Sequence, residues 1–380
     1  MFIATNVIGQ TIVSEHIKID QIGYRPMDRK VAVISDPQTG YNAADSYTPG
    51  TTLEVREVPS GNVVLSGTPV AWNGGATHAQ SGDKAWWFDF TSLTSVGDYY
   101  IFDPTNNMQS WNFRIGADVY NSALYYAQRT FYYQRCGTTK DPTHAGIGYE
   151  DWACHFNLQQ DGQCWSVSNP IQATERDLSG GWHDAGDYNK YTNFTYAAVH
   201  YLLDAYEQAP IAFGDANNIP ESGNGTPDIL DEVKWELDWL LKMQNMDGSA
   251  IMKVSSLGFT GGSPPSTDPA YRYYSATGSS ATRTICSEFA HAAIIFRNQS
   301  GPGMAEFGDT LLARAQLAWQ WLQVNTAYSY YNNETFSSAN PEISTYEQDS
   351  RKFVAAVYLY AATGISVYRT YIDANYAAMQ

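Results

Sequence analysis

The feature that most constrains this fold is a change in hydrophobic periodicity near residue 117. Before that point, from Lys18 to about Ile115, short runs of β-branched and aromatic residues alternate with turn clusters rich in Gly, Pro, Asn and Asp. Such runs include VAVI at 31–34, TLEVREV at 52–58 and DYYIF at 98–102. The pattern predicts an all-β sandwich of about 100 residues.

After residue 117, apolar residues recur at the spacing of α-helices, which predicts an all-α second part. The loops between these helices are long and polar, notably 209–226 and 246–280. Loops of this length are more often functional than idle, so we expect the working surface there, with mobile insertions as the alternative. The predicted helices are VYNSALYYAQRTFYYQ, YAAVHYLLDAYEQ, ILDEVKWELDWLLKMQ, ICSEFAHAAIIFR, TLLARAQLAWQWLQ and RKFVAAVYLYAATG, with a seventh considered from Ile365 to Met379.

Charge and hydropathy exclude several classes of partner. The formal net charge is −17, and no basic stripe is present to neutralise phosphates, which argues against nucleic acid and acidic membranes as partners. No run approaches 18 consecutive apolar residues, and the first residues lack the pattern of a signal peptide. We therefore expect a soluble chain whose export signal was removed or never present.

The densest chemical signal is GGWHDAGDYNKY, from Gly180 to Tyr191. Asp184 and Asp187 flank Gly186, and a sharp turn there allows both carboxylates to point at one place. A helix predicted to begin near Asn189 favours their ionised forms. One carboxylate then serves as general base and the other holds the attacking water, as in hydrolysis. The alternative is that Asp187 is a helix cap and Asp184 a turn residue.

Four segments together resemble glycoside hydrolase family 9, whose members are mostly endo-acting β-1,4-glucanases. They are the motif above, IKIDQIGYRPMDRKVAVI at 17–34, IPESGNGTPDILDEVKWELDWLLKMQNMDG at 219–248 and YEQDSRKFVAAVYLYAATG at 346–364. The resemblance implies an immunoglobulin-like β-sandwich over 1–116 and an all-α catalytic domain of (α/α)6-barrel type over 117–380. It also implies an inverting mechanism, in which Asp187 is the general base and Asp184 positions the water.

From the resemblance we predict a secreted, extracellular endo-β-1,4-glucanase that hydrolyses cellulose or related β-glucans by single displacement. Two alternatives remain open. The first is an exo-acting cellobiohydrolase or glucosaminidase-type hydrolase of the same family. The second is a noncatalytic carbohydrate-binding protein.

The second alternative arises because the family's general acid was not found. That acid is a Glu that follows an Asn near the C-terminal end of the catalytic domain, in a segment this sequence does not contain. Asn333–Glu334 lies in the wrong part of the family order and is interpreted as a solvated loop pair. With about half of the twelve barrel helices counted, we expect either a fragment of a longer enzyme or a barrel completed by another chain.

Two cysteines and two histidines predict a structural zinc site. Cys136 ends the first helix, Cys154 and His155 follow, and His183 directly precedes Asp184. Two thiolates and two imidazoles make a closed tetrahedral set, and a branch of the resembled family carries such a zinc. The alternatives are a Cys136–Cys154 or Cys154–Cys164 disulfide, or unrelated buried residues.

A calcium site and a sugar-binding surface complete the expectations. Side-chain oxygens around the glycines of ESGNGTPDILDE are the type of ligand that calcium prefers. The alternative is that these acidic residues form the negative first turn of a helix without an ion. Rings that stack on neutral sugars would bind the substrate, with packing as the alternative for each. Family members usually have His-Lys where this chain has Met252-Lys253, which leaves the linkage preference open. The candidate ligands are Glu221, Asn224, Asp228 and Asp231, and the candidate rings are Trp182, Tyr271, Tyr273 and Tyr274.

Overall fold

The computed structural model describes residues 12–259, 261–329 and 343–379. The chain divides into two compact units, Met1–Tyr126 and Ala127–Gln380. Each unit has its own apolar core. The predicted order, an all-β part followed by an all-α part, is confirmed.

The first unit is a sandwich of two antiparallel-rich sheets. One sheet has the order β1-β9-β8-β4-β5 with β10 added on β8, and the other has the order β2-β3-β7-β6. The described strands of this unit are β1 (Ile12–Val13), β2 (Ile17–Lys18), β3 (Val31–Pro37), β4 (Leu53–Glu57), β5 (Val63–Gly67), β6 (Val70–Ala71), β7 (Asp83–Asp89), β8 (Gly97–Asp103), β9 (Met108–Gln109) and β10 (Phe113–Ile115).

Alternating side chains close the sandwich, as the period of two requires. Ala32 and Ile34 on β3 are fully buried, whereas Val33 between them is exposed. Leu53 and Val55 on β4 face the same core from the opposite sheet. The runs predicted from sequence at 31–34, 52–58 and 98–102 lie on β3, β4 and β8.

The second unit is built from helices that pack on the next helix or the next but one along the chain. Among them, α3 packs on α4 and α5, α5 on α6 and α7, and α7 on α8. The described helices are α1 (Asn121–Gln134), which crosses the unit boundary, α2 (Pro142–Ala145), α3 (Thr195–Gln208), α4 (Asp228–Met243), α5 (Ser279–Phe296), α6 (Met304–Val324), α7 (Thr345–Thr363) and α8 (Ser366–Asn375).

Helix α5 is the centre of this unit. All of its residues except Ile294 are buried, which is expected of a helix covered on every side. Two of its buried hydroxyls bond to the preceding turn, because Thr282 and Thr284 donate to the carbonyls of Gly278 and Ser280.

Short strands between the helices form two small sheets beside the helix ends. One has the order β11-β15-β14-β12, and the other pairs β13 with β16. These strands are β11 (Trp165–Ser166), β12 (Lys190–Tyr191), β13 (Ala250–Ile251), β14 (Lys253–Ser255), β15 (Tyr273–Tyr274) and β16 (Thr277–Gly278).

The helix expected near Asn189 is wrong. Residues 190–191 form strand β12, which pairs with β14, and α3 begins only at Thr195. Strand pairing with a distant segment took precedence over the local helical pattern. Among the described residues, none of the helices combines the length and apolar character that crossing a bilayer requires.

Candidate active site and metal centres

The two aspartates of the central motif lie on one closed bend. The N–H of Asp184 donates to the carbonyl of Asn189 at 2.9 Å, and the N–H of Tyr188 donates to Ala185 at 3.1 Å. The carboxylate of Asp187 accepts two hydrogen bonds from Asn189, from the backbone N–H at 3.2 Å and from Nδ2 at 3.0 Å. The bend therefore holds both carboxylates, and Asn189 fixes the orientation of one of them.

The electrostatics of Asp184 differ from the prediction. Asp184 remains accessible to solvent, yet desolvation by the surrounding protein raises the pKa of its carboxyl group, and the charge of Asp187 raises it further. A helix N-terminus was expected to favour the ionised form. Because α3 begins too far along the chain to supply that dipole, desolvation, with a smaller contribution from the neighbouring carboxylate, sets the direction of the shift instead.

A buried lysine that the sequence analysis did not single out as functional lies beside this bend. Lys253 on β14 is opposite Tyr191 on β12, and its Nζ lies 5.4 Å from the centroid of the tyrosine ring. Burial lowers the pKa of Lys253 to about 7, and the charge of Asp187 opposes that shift. Its signal in the sequence was its place in Met252-Lys253, where the resembled family usually has His-Lys.

A small cavity opens beside Asp184. Its volume is about 130 Å³, and its walls include Asp184, Trp182, Tyr191 and Thr195. At roughly 30 Å³ per water in the liquid, this space can hold a few water molecules but not a polysaccharide. The cavity thus offers space for water next to one of the paired carboxylates.

A cluster of three buried charged side chains contacts the bend. Asp161, Lys190 and Arg272 are all fully buried, and both cations pair with Asp161, at 2.7 Å from Lys190 and 2.8 Å from Arg272. Arg272 also donates to the carbonyl of Tyr188 at 2.6 Å. Tyr188 follows Asp187 directly and has a left-handed φ of 59°. Arg272 therefore anchors the bend at its most constrained residue.

The candidate sugar-binding rings have different environments. Trp182 is only 8% exposed and packs against Phe131 at a ring distance of 4.9 Å. This burial favours the packing interpretation for Trp182. Tyr271 is 56% exposed, while Tyr273 and Tyr274 are half-buried on β15 of the sheet that contains β12. Tyr271 therefore offers the most accessible face of the four.

The predicted zinc ligands converge in space. The side chains of Cys136, Cys154, His155 and His183 are buried, and one ligand atom from each lies within 4.8 Å of the others. All four cysteines of the chain are free, with 3.9 Å between the sulfurs of Cys136 and Cys154. The alternative of a disulfide is therefore wrong for this structure.

The separations within this Cys/His cluster fit a tetrahedral zinc ion. Zinc bonds of about 2.3 Å to sulfur and about 2.05 Å to nitrogen require ligand separations of about 3.8 Å (S–S), 3.6 Å (S–N) and 3.4 Å (N–N). The sulfur–nitrogen distances are 3.5 Å for Cys136–His155 and 3.8 Å for Cys154–His183. The two histidine nitrogens are 3.4 Å apart. The cluster is compatible with zinc.

Backbone pairing and a carboxylate position these ligands. The N–H of Cys136 donates to Gly181, and the N–H of His183 donates to Gln134, so the chain after α1 runs alongside 181–183. Nε2 of His155 lies 3.3 Å from a carboxylate oxygen of Asp268, an arrangement that orients metal-bound histidines. The sequence analysis did not single out Asp268, which lies more than 100 residues from His155.

The candidate calcium ligands are only partly brought together. Asp228 and Asp231 converge with Asp215, a residue missing from the predicted set, and one oxygen of each lies within 4.8 Å of the others. Oδ1 of Asp228 is buried and has no hydrogen-bond partner among the described residues. Asn224 donates to Asp231 through Nδ2, so its amide nitrogen rather than its oxygen faces this group.

Glu221 does not belong to this acidic group. Its carboxylate pairs with the buried guanidinium of Arg135 at 3.0 Å, and Glu232 pairs with the same guanidinium. A buried arginine needs carboxylate partners, and this requirement explains why Glu221 is diverted from the acidic cluster.

Two fully buried glutamates have raised pKa values. Burial raises the pKa of Glu236 to about 8, and it raises that of Glu288 well above its usual range. Glu236 accepts the N–H of Trp182 at 2.6 Å, and Glu288 accepts the hydroxyl of Thr195 at 2.8 Å. Both are inaccessible to a substrate. Asn333 and Glu334 lie outside the described residues.

Comparisons with known proteins agree with these features. Residues 120–380 match the family described as "Glycosyl hydrolase family 9". Residues 13–106 match the "Cellulase N-terminal ig-like domain". The immunoglobulin-like prediction for the sandwich is therefore confirmed.

Curated relatives include proteins named as endo- and exo-acting enzymes. Endoglucanase D of Acetivibrio thermocellus is 31% identical over 93% of this chain and 52% of its own length. A cellulose 1,4-beta-cellobiosidase of the same organism is 29% identical over 94% of this chain and 42% of its own length. The chain thus spans about half the length of these relatives.

Solved structures of family 9 enzymes superpose on most of this chain. A metagenome-derived glycoside hydrolase family 9 endoglucanase superposes with a TM-score of 0.77 and 34% identity, covering 95% of this chain and 64% of the other. A zinc-binding triple mutant of the family 9 endoglucanase J30 has a TM-score of 0.76 and 28% identity, covering 92% and 62%. The helical unit therefore has the predicted (α/α)6-barrel type of fold.

Proposed function

Because the chain belongs to glycosyl hydrolase family 9, we propose that it acts as an endo-β-1,4-glucanase on cellulose or related β-glucans. The observation that carries this proposal is the closed bend that presents Asp184 and Asp187 together. The chain spans 52% of endoglucanase D, so the activity proposed is that of the protein as a whole.

In the proposed mechanism, Asp187 removes a proton from a water that attacks the anomeric carbon. Asp184 accepts the other hydrogen of this water and keeps it aligned. The hydrogen bonds from Asn189 hold Asp187 in one orientation, which reduces the entropy lost on reaching the transition state. Attack from the face opposite the leaving group inverts the configuration in a single displacement.

The general acid is not assigned. An acid must reach the glycosidic oxygen, about 6.5 to 9.5 Å from the base in an inverting enzyme. Glu236 and Glu288 hold their protons near neutral pH, but both are completely buried. The contact of Glu236 with Trp182 and the contact of Glu288 with Thr195 on α3 are structural.

Two structural metals belong to the proposal. Zinc in the Cys/His cluster would fix His183 and, through the backbone, the adjacent Asp184. Calcium would be held by Asp215, Asp228 and Asp231, whose carboxylates otherwise repel one another. The unpartnered Oδ1 of Asp228 supports a cation there.

Substrate and location follow from the same chemistry. A neutral glucan is recognised by rings and hydroxyl hydrogen bonds, and Tyr271 is an exposed ring two residues before strand β15 of the small sheet beside the bend. An insoluble polymer cannot enter a cell, so we propose that the protein is secreted. The boundary between residues 116 and 117 also stays a proposal, and it falls between the two family matches, which end at 106 and begin at 120.

An activated substrate tests the base without requiring a general acid. Dinitrophenyl β-cellotrioside has a leaving group that departs without protonation, so its hydrolysis depends on the water and its base. We expect the first product observed by proton NMR to be the α-anomer. A β-anomer would contradict single displacement.

Substitution of the base gives the matching prediction. Asp187→Ala should lower kcat on this substrate by roughly 10²- to 10⁴-fold, the usual contribution of a general base, while cellohexaose still binds in calorimetry. Azide should restore part of the rate by replacing water. Asp238→Asn, an exposed carboxylate on α4, is the control, and equal kcat in both variants would remove the assignment.

Exo action is the second candidate, favoured by the cellobiosidase among the relatives. The fall in viscosity of carboxymethylcellulose, plotted against reducing ends released, separates the two. An endo-acting enzyme lowers the viscosity of the solution early in the reaction. An exo-acting enzyme releases reducing ends with little change in viscosity.

A further inference from the structure

Helices α3 and α5 place two histidines and two carboxylates in one connected row, outside the active-site bend and both proposed metal centres. Nδ1 of His200 lies 2.8 Å from Nδ1 of His291. Nε2 of His291 then lies 3.2 Å from Glu207 Oε2 and 3.7 Å from Asp204 Oδ1. The positions of the protons in this row determine what it can bind.

The proton of His200 is placed by its serine neighbour. Ser287 donates its single hydroxyl proton to the carbonyl of Thr284 at 2.8 Å, so Ser287 Oγ accepts from Nε2–H of His200 at 3.2 Å. His200 is buried, and a neutral imidazole carries one N–H, which the contact with Ser287 places on Nε2. Nδ1 of His200 is therefore an acceptor.

The proton of His291 follows from that of His200. An acceptor at His200 Nδ1 requires His291 to donate from its own Nδ1. His291 is fully buried, and one ligand atom from each of His291, Asp204 and Glu207 lies within 4.8 Å of the others. The neutral ring has no second proton, and its Nε2 presents a lone pair toward Glu207 and Asp204. Three electron-rich atoms thus converge with no proton between them.

We propose that a divalent transition-metal ion of the zinc type binds His291 Nε2, Asp204 and Glu207 and links α3 to α5. Zinc bonds of about 2.05 Å to nitrogen and oxygen require ligand separations of about 3.4 Å, close to the 3.2 and 3.7 Å found.

The surroundings suit such an ion. Asp204 and Glu207 are three residues apart on α3, so both lie on one face of the helix. Their side chains are 42% and 43% exposed, which lets an ion enter from solvent and retain water. Tyr358 stacks on His291 at 4.1 Å and fixes the ring plane. The imidazole ligand favours a transition metal over calcium or magnesium.

Cobalt(II) distinguishes this site from the Cys/His cluster. The 380-residue chain, with zinc retained in that cluster, is titrated with Co²⁺ and followed by absorption spectroscopy. We expect one cobalt per chain with weak visible d–d bands and without the intense thiolate-to-cobalt band that a cysteine site produces. Ca²⁺ should not compete.

Substitutions locate the ligands. Asp204→Asn and Glu207→Gln should each weaken cobalt binding at least tenfold, roughly the loss seen when the surroundings of a metal are altered. Glu306→Gln, an exposed glutamate on α6, is the control and should bind as the wild type does. Both altered ligands are partly exposed, so metal-free melting near that of the wild type shows that each variant is folded.

Two results would overturn the proposal. One is cobalt binding that is absent from the wild type or unchanged in both variants. The other is nitrogen NMR of the wild-type chain that shows protons on both ring nitrogens of His291 at neutral pH. The proton on Nε2 would then occupy the place of the metal ion between the two carboxylates. The cobalt titration of the wild type and the NMR measurement do not depend on any variant folding.

Discussion

Asp184 and Asp187 are three residues apart, and their convergence follows from the bend around Gly186. Some contacts that hold the bend are also local, since Asn189 supplies the bonds to Asp187 and closes the loop onto Asp184, whereas Arg272 anchors Tyr188 from a distant segment. The sequence was therefore sufficient to propose the pair. The direction of the pKa shift of Asp184 was not predictable, because it depends on what surrounds its carboxyl group in space.

Glu236 provides a test at the scale of one residue. Its folded pKa of about 8 lies above its usual value, so the folded protein retains a proton that the unfolded chain releases near pH 4.5. The stabilisation is complete below that pH and is lost as pH rises through about 8. The free energy of unfolding should fall by up to about 1.4 kcal/mol per pH unit within that interval.

Glu236→Gln removes this titration while keeping an oxygen for the N–H of Trp182. Urea denaturation at several pH values from 5 to 9 should give a flatter profile for this variant than for the wild type. Glu306→Gln should retain the wild-type slope. Parallel profiles for wild type and Glu236→Gln would contradict the raised pKa.

At the scale of elements, distant segments meet through backbone pairing that residue types do not reveal. Cys136 reaches His183 because the chain after α1 runs along 181–183. The residue types identified these ligands, but the carboxylate of Asp268 behind His155 was found only in the structure. Similarly, Asp215 joins the acidic group through the fold of the preceding loop, whereas Glu221 is diverted to Arg135.

The Cys/His cluster gives a prediction at this scale. Zinc analysis of the purified chain should lose about one ion when Cys154 becomes Ser. Asp268→Asn should keep the ion but weaken its affinity roughly 10- to 100-fold, because the orientation of His155 is loosened. A competing chelator that changes colour on binding zinc measures both effects.

Cys286→Ser is the matched control, since this buried cysteine lies outside the cluster and contacts the carbonyl of Ala315. It should retain zinc at wild-type affinity. Equal zinc content in the Cys154 and Cys286 variants would show that the cluster is not the metal site.

At the scale of the whole molecule, each unit has a separate core, so each should respond separately to cavities. Phe289→Ala on the buried helix α5 should destabilise the helical unit by about 3 to 5 kcal/mol. Ile34→Ala should act on the sandwich instead. Differential scanning calorimetry should show a different transition moving in each variant, and equal shifts of one shared transition would contradict independent cores.

The sequence by itself determined the two fold classes, and it was enough to propose the paired aspartates and the four residues of the Cys/His cluster. Periodicity fixes which face of a strand or helix is apolar, and spacing of a few residues fixes local geometry, so these features depend on neighbours in the chain. The strand at 190–191, the roles of Arg272 and Asp268, the membership of Asp215 and the row from His200 to Glu207 were decided only by tertiary structure. Each depends on segments that are distant in sequence, and their contacts are set by packing of the complete unit.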